Sequence, residues 1–348
     1  MLRESRQAAS VQTNRRIKMR ISSITLALVT LLAACGGGGG SSSVNNPQAA
    51  GALLITASNY QAVAQESMSS TYYLLQSTSL VTGAQVASDR VLLSFGLAQL
   101  PKLKQWFAAA PRLVTGATTT QTNSCSGGGS MSVSVTDVNG NQQVDAGDSV
   151  SMNLANCNEG GLSMNGSMAA SFTALTGSLD SNVYSATMTM SFTNLSAGTS
   201  AGSATGNGSI SLALSSTAVN NSRVDLTVAS FATSDNYGGV SSTRSLQDFM
   251  ISDTRTPSGL GFLSSTSIAG TLTSSALESR PFTLSTVAPL LRYSSESYPS
   301  SGQLKAVGMN GSQVRFTAQS LTNVLIELDA DGNGIYEASV IKAWLDLL

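Results

Sequence analysis

Two acidic stretches carry oxygen side chains at spacings similar to those of calcium-binding turns. The first, DVNGNQQVDAGD, begins at residue 137, and the second, LDADGNGIYE, lies near the C-terminus. Ca²⁺ takes about six to eight oxygen ligands, and alternate residues of a tight turn can supply them. Calcium is therefore the one cofactor that the sequence suggests. The candidate ligands are Asp137, Asn139, Asn141, Asp145 and Asp148 in the first stretch and Asp329, Asp331, Asn333 and Glu337 in the second.

The first stretch resembles the calcium loop of EF-hand proteins, and more closely the dockerin version that ends in Asp. Position 6 of this loop, normally Gly, is Gln142, and its flanks have the pattern of strands instead of helices. The second stretch has Gly334 at position 6, but Val340 stands where the bidentate acid belongs. Turns of its D-x-D-G-N-G type bind calcium in several extracellular β proteins. The alternative for both is a polar hairpin tip whose Asp and Asn side chains cap their own backbone.

Catalysis is disfavoured because the chain contains no histidine. Ser-His-Asp and Cys-His machinery and His-ligated zinc or iron sites are thereby excluded. The phosphate-binding pattern G-x-x-x-x-G-K-[ST] is also absent. Two facing carboxylates could still hydrolyse a glycosidic bond, but no such pair is visible in the sequence. We expect no enzymatic activity.

The N-terminus has the parts of a secretory signal peptide. A basic segment, RRIKMR, precedes the apolar run ISSITLALVTLLAA and several small residues. The apolar run is too short for a stable membrane span, which takes about 20 residues as a helix. Met19 opens a segment with the usual signal proportions, so residues 1–18 could be an over-extended start. Residues 35–348 hold 12 basic and 18 acidic side chains, and this net charge of −6 argues against a nucleic-acid partner.

Leu32, Ala33, Ala34 and Cys35 match the lipobox of bacterial lipoproteins, which this chain resembles. The resemblance implies a lipid on the Cys35 thiol, removal of residues 1–34, and a Gly/Ser tether over residues 35–49. It also implies the membrane as a partner, reached through this lipid. Because Gly36 replaces the Asp that retains such proteins at the inner membrane, we expect the outer membrane, with the domain facing the periplasm or the exterior. The alternative is a buried apolar cysteine at the end of a core helix.

Lipidation of Cys35 would leave Cys125 and Cys157 as the remaining cysteines in an oxidising compartment. We expect these two to form a disulfide, and the alternative is a pair of free buried thiols. The bond would close a loop of about 33 residues and join the open end of a β-hairpin.

Strict alternation of apolar and polar residues recurs after residue 120 and predicts half-buried strands. We expect an antiparallel meander over residues 120–348, in the form of a curved sheet, a half-barrel or a sandwich. The dipeptides Asn165-Gly166, Asn207-Gly208 and Asn310-Gly311 are predicted to form its tight turns. The apolar members of the main runs are Met131, Val133 and Val135; Val150, Met152 and Leu154; Ala186, Met188, Met190 and Phe192; Ile210, Leu212 and Leu214; Val224, Leu226 and Val228; Val314, Phe316 and Ala318; and Val324, Ile326 and Leu328.

Helix is predicted upstream of the sheet, over residues 58–112 within a mainly helical region 50–119. Apolar residues at helical spacing form one stripe, and Ser58 or Asn59 is placed to cap its start. The region and the sheet together form one envelope domain, residues 50–348. The stripe consists of Tyr60, Val63, Ala64, Met68, Tyr72 and Leu75.

The element order loosely resembles the half-barrels with internal helices of periplasmic lipoprotein carriers. The lipobox, the cysteine hairpin and the ending VLIELDADGNGIYEASVIKAWLDLL are similar to a group of proteobacterial outer-membrane lipoproteins that brings no activity with it. We therefore expect a non-enzymatic binding or accessory module for a protein or lipid ligand. The alternative is a surface structural or adhesive protein, made rigid by the disulfide and by calcium.

Overall fold

The computed structural model describes residues 51–81, 103–109, 116, 118–179, 181–259 and 261–348. Within them, fourteen antiparallel strands form one sheet, in which each strand pairs with its neighbours in sequence. The prediction of a mainly β meander with a curved sheet is therefore confirmed. The first seven strands are β1 Thr118–Ser124, β2 Ser130–Thr136, β3 Ser149–Glu159, β4 Leu162–Gly177, β5 Tyr184–Thr199, β6 Gly202–Ala218 and β7 Asn221–Tyr237. The last seven are β8 Val240–Ser258, β9 Gly261–Ser274, β10 Arg280–Tyr293, β11 Ser301–Val307, β12 Gln313–Ala318, β13 Asn323–Asp329 and β14 Ala338–Ala343.

One face of the sheet, which we call the inner face, forms the core. Along most strands its apolar side chains alternate with exposed or half-buried side chains, which in β2–β6 are mainly Ser and Thr, because successive side chains of a strand point to opposite faces. All of the predicted apolar runs lie on this face, and every member except the half-buried Met131 is buried. The period of two residues thus located the buried face correctly.

Among the described residues, two helices precede the sheet, α1 over Tyr60–Val81 and α2 over Leu103–Ala109. Helix α1 packs against β9, β11, β12 and β13 and against a closing 3₁₀ turn, Trp344–Leu347. The segment that leads into α1 is attached to the sheet by two backbone hydrogen bonds. The Leu53 N–H donates to the Pro281 carbonyl at 2.8 Å, and the Leu53 carbonyl accepts the Met309 N–H at 2.7 Å. The predicted stripe is buried at Tyr60, Val63, Ala64 and Met68 and half-buried at Tyr72, while the Leu75 side chain lies outside the described residues.

Irregular pairings occur between all neighbouring strands from β3 to β11 except β7 and β8, and we call them the bulge row. Pairing skips between Leu154 and Cys157 in β3 and between Phe192 and Leu195 in β5. It skips again between Gln247 and Met250 in β8 and within β10. Each bulge bends its strand and increases the local twist. The row therefore supplies the curvature that wraps the sheet.

The bulge row corrects one prediction about turns. Asn165-Gly166 and Asn207-Gly208 lie inside β4 and β6, and only Asn310-Gly311 lies in a turn, between β11 and β12. Gly166 has φ 96°, and a Cβ there would overlap the backbone carbonyl of Asn194 on the next strand. A tight turn and a β-bulge both need a residue with positive φ, which glycine adopts easily. The Asn-Gly dipeptide therefore does not distinguish a turn from a bulge.

Cys125 and Cys157 form a disulfide, with their Cα atoms 5.4 Å apart. Cys125 lies in the connection from β1 to β2, and Cys157 lies near the end of β3. The bond joins the open end of the β2–β3 hairpin, as expected. The two sulfurs lie near the Glu159 carboxylate, but they are bonded to each other and offer no thiolate to a metal.

The predicted signal peptide, lipobox and tether, including Cys35, lie outside the described residues, as do residues 82–102 of the predicted helical region. In the part of the chain that the structure describes, no helix is both long enough and apolar enough to cross a bilayer.

Candidate functional site

The second acidic stretch forms a turn between β13 and β14 that draws three carboxylates together. One oxygen from each of Asp329, Asp331 and Glu337 lies within 4.8 Å of the other two. Two ligands of a single calcium ion, each about 2.3–2.6 Å from it, can be at most about 5 Å apart. The three carboxylates are thus close enough to share one cation.

Asp329 is the buried member of this group and organises the turn. Its carboxylate accepts the backbone N–H groups of Gly332 at 2.7 Å and of Gly334 at 2.9 Å. It also accepts the Gln313 side-chain amide at 2.6 Å. Glu337 closes the turn by accepting the Ala330 N–H at 3.0 Å. Asn333, the fourth predicted ligand, donates its amide to Asp331 at 2.9 Å, and its oxygen accepts the Ile335 N–H at 2.7 Å.

The first acidic stretch forms the tip of the β2–β3 hairpin. The Asp137 carboxylate accepts the N–H groups of Gly140 and Gln142, both at 2.7 Å. The fully buried Asp148 accepts those of Val138 at 2.9 Å and Asp145 at 2.7 Å. These hydrogen bonds are the ones expected for a polar hairpin tip whose Asp and Asn side chains cap their own backbone. They fix the path of the turn.

Asp145 collects the two amides of the first turn. Its Oδ2 accepts the side-chain N–H groups of Asn139 at 2.7 Å and Asn141 at 2.5 Å. Both amide oxygens instead accept N–H groups of the backbone two residues ahead. In this turn, all of whose residues the structure describes, no three carboxylates come within 4.8 Å of one another. The second turn is the better candidate for a cation.

Both turns take the left-handed backbone at the sixth position, which a calcium loop needs for its sharp bend. Gly334 has φ 86°, and Gln142, despite its side chain, has φ 64°. The first turn has Gln142 instead of Gly at position 6, but its backbone there follows the same left-handed path as that of the second turn.

The first turn changes the pKa of Asp148. Burial raises the pKa of its carboxyl above the ordinary value, and the charges of Asp137 and Asp145 act in the same direction. The N–H groups of Val138 and Asp145 oppose this shift without cancelling it. The ionised carboxylate is therefore less favourable in the folded turn than in water.

A buried ion cluster between α1 and the sheet was missed by sequence reasoning. Arg244 in β8 donates to both Glu66 oxygens, at 2.8 and 3.1 Å, and to Asp235 at 3.1 Å. Burial lowers the pKa of Arg244, but Glu66 and Asp235 outweigh it, so that the pKa lies above its ordinary value. The signal that could have found this cluster was Glu66, an acid within one helical turn of the apolar stripe of α1. A carboxylate at such a position is stable only when it pairs with a cation.

A second polar cluster lies on the inner face of β8 and β9. The buried Asp253 carboxylate accepts the hydroxyls of Ser264 and Thr266 and the guanidinium of Arg255. Arg255 also stacks over the Phe262 ring at 4.9 Å. Asp253 and Arg255 are two residues apart in one strand, a spacing that places both on one face. This spacing was the signal that could have found them.

The outward side of β1–β6 is lined with hydroxyl groups, and we call it the hydroxyl face. The only charged residue in these six strands is Glu159, at the end of β3. Paired hydroxyls bridge β1 and β2 at 2.7–2.8 Å: Thr118 with Thr136, Thr120 with Ser134, and Thr122 with Ser132. One row across all six strands, directly opposed at every step, consists of Thr118, Thr136, Ser149, Ser171, Thr189 and Ser211.

Comparison with protein-family models, curated proteins and solved structures finds no match to this chain.

Proposed function

We propose that the protein is a membrane-anchored lipoprotein of the bacterial cell envelope that acts as a non-enzymatic binding or accessory module. The observation that carries this proposal is the difference in burial and composition between the two faces of the sheet. The inner face is the buried core, whereas the outer side of β1–β6 is exposed or half-buried and uncharged. The surface that this module offers to partners is the hydroxyl face.

The buried carboxylates already accept hydrogen bonds from groups of the protein, which supports a role without catalysis. Asp148, Asp253 and Asp329 each accept hydrogen bonds from the backbone, from hydroxyls or from an amide or guanidinium group. A catalytic acid or base must instead have its carboxyl within reach of a substrate. With no histidine in the chain, the remaining polar groups fit a structural role.

The anchor is assigned to the lipobox sequence. Cys35 is the lipid attachment site, and residues 35–49 form the tether. A Gly/Ser-rich coil of this length extends about 20 Å, which separates the folded domain from the membrane surface. Two or three acyl chains, at about 0.8 kcal/mol per buried CH₂, hold the protein on the outer membrane.

The anchor is tested by membrane fractionation and by mass spectrometry of the mature N-terminus. We expect a chain that starts at an acylated Cys35, a Cys35→Ser variant that carries no lipid and keeps residues 1–34, and transfer of the Gly36→Asp variant to the inner membrane. A mature chain that starts at another residue, or a Cys35→Ser variant that is still acylated, would contradict the anchor.

The binding role is tested by thiol labelling of Ser151→Cys on the hydroxyl face, with Ser339→Cys on β14 as the matched control. Both positions are exposed, so both are expected to react equally in the purified protein. In native envelopes a bound partner slows the reaction at position 151 alone. Equal rates at both positions in both preparations would count against a binding module.

A structural or adhesive surface protein is the second candidate. It is favoured by the disulfide and by the convergence of Asp329, Asp331 and Glu337, where calcium would fasten the β13–β14 turn. We expect millimolar calcium to raise the Tm of the protein relative to chelator. The Asp331→Asn variant is expected to lose this increase, and Asp145→Asn in the first turn to keep it. A Tm that does not respond to calcium would exclude this role for the turn.

A further inference from the structure

We propose that the hydroxyl face binds an uncharged polysaccharide. This inference rests on the proposed function, which makes this face the surface that meets a partner. At the end of this face next to the β2–β3 hairpin tip lies a shallow hollow of about 160 Å³, on the outer side of β1–β5. Eight of its eleven lining residues are Ser or Thr, and none is charged.

The chemistry of the hollow matches a ligand that is itself built from hydroxyls. A Ser or Thr hydroxyl has one donor and two acceptor sites, as does each hydroxyl of a sugar. In each bridged pair between β1 and β2, one O–H is used within the pair and the other remains available to a ligand. The face thus presents both donors and acceptors at fixed positions.

The lack of charge argues against nucleic acids and charged glycans as ligands. Nucleic acids and acidic glycans are bound mainly by Lys and Arg, and β1–β6 contain neither. A cationic partner would find only Glu159, which is not among the residues of the hollow. An apolar ligand would remove the hydroxyls from water without replacing their hydrogen bonds, at a cost of about 1–3 kcal/mol for each group. An uncharged chain of polyols avoids both the charge mismatch and the loss of hydrogen bonds.

The regular spacing of the face favours a polymer over a single sugar. Opposed side chains repeat every ~4.8 Å across the strands, and side chains on one face repeat every ~6.7 Å along them. A second row parallel to the first contains Thr120, Ser134, Ser151, Ser191 and Ser209, interrupted by Ala169. Successive sugar units therefore meet similar partners, and their weak contacts add through multivalency.

The test is native affinity electrophoresis of the mature lipoprotein in a detergent that has no sugar headgroup. Dextran is the uncharged probe, and dextran sulfate is the charged probe with the same backbone. We expect dextran in the gel to retard the wild-type protein. The double variant Ser151→Glu/Ser191→Glu should bind dextran at least tenfold more weakly. Exposed Ser241, at the start of β8, provides the control Ser241→Glu, which should bind as the wild type does.

The outcomes separate this proposal from the role on which it rests. Absence of retardation by dextran, or equal retardation of the double variant, would overturn the proposal. Tighter binding of dextran sulfate than of dextran would overturn the assignment of an uncharged ligand. Slower thiol labelling at position 151 in envelopes, combined with no dextran binding, would retain a binding module and reject a polysaccharide as its partner.

Discussion

The side-chain oxygen of Asn165 in β4 accepts the backbone N–H of Asn156 in β3 at 2.7 Å. The same relationship joins Asn207 in β6 to Asn194 in β5 at 2.6 Å. Asn156 and Asn194 are bulged residues with φ near 48°, and their N–H groups are turned out of the regular ladder. An Asn on the next strand replaces the lost ladder bond, so the curvature of the sheet is stabilised by side chains.

Replacing Asn165 by Ala is therefore expected to lower the free energy of unfolding by about 0.5–1.5 kcal/mol, the usual net value of one hydrogen bond. Urea denaturation measures this loss. Asn153→Ala, also an exposed Asn but in regular β3, should change stability by less than about 0.5 kcal/mol. Equal losses in the two variants would show that the bond to Asn156 contributes nothing.

Removal of the Arg244 side chain should be far more damaging than removal of an exposed arginine. Arg244→Met leaves the buried Glu66 carboxylate unpaired, and breaking such a pair costs about 3–5 kcal/mol. Arg223→Met breaks an exposed pair with Asp225, which is worth about 0–1 kcal/mol. In chemical denaturation, we expect a Glu66→Met/Arg244→Met double variant to recover most of the loss. Additive losses would contradict direct coupling between the two side chains.

Loss of the disulfide is expected to destabilise the β1–β3 end of the sheet. Cys125 and Cys157 are 32 residues apart, and the chain-entropy model gives about 3–4 kcal/mol for a loop of this size. The Cys125→Ser/Cys157→Ser variant should therefore unfold at a lower urea concentration, as should the reduced wild type. Cys35→Ser is the matched control and should unfold as the wild type does.

Gly334 offers a test of the left-handed position in the second acidic turn. A Cβ at this residue would meet nothing within 4 Å, so substitution affects only the backbone conformation. Gly334→Ala should lower the free energy of unfolding by about 1–2 kcal/mol, and Gly334→Asn by less, because Asn tolerates this region. Gln142→Gly should raise stability by up to about 1 kcal/mol, since it relieves the same conformation in the first turn. Thermal denaturation of the three variants checks the order.

The pH dependence of stability should carry the sign of the Asp148 shift. Because the folded pKa lies above the unfolded one, the contribution of Asp148 is largest below the unfolded pKa and is lost as pH rises through the folded pKa. The difference in unfolding free energy between wild type and Asp148→Asn should therefore fall as pH rises above about 4, the ordinary pKa of an aspartate. Urea denaturation at each pH measures this difference.

Asp225 provides the opposite sign as a control. Burial raises the pKa of its carboxyl, but hydrogen bonds from Arg223 and Ser252 outweigh burial and place the pKa below its ordinary value. Its contribution is present above the unfolded pKa and is lost as pH falls through the folded one. The wild-type advantage over Asp225→Asn should thus grow as pH rises, and parallel slopes for the two variants would contradict both assignments.

The sequence predicted the buried face of the strands because burial of one side imposes a two-residue period that a single chain displays. It predicted the wrong positions for two turns because Asn165-Gly166 and Asn207-Gly208 fit a bulge as well as a turn. Glu66 and Arg244 are 178 residues apart, and no local pattern links such residues. The hydroxyl rows depend on strand register, which becomes visible only when the partner of each strand is known.

The pairing of each strand with its sequence neighbours has a consequence for how the domain is assembled. Every hairpin can form as soon as its second strand is available, and each new strand then adds to an edge that already exists. Local pairing of this kind keeps the entropy cost of loop closure small and favours rapid folding. A chain delivered from its N-terminus could thus grow its sheet strand by strand, with β14 completing the structure.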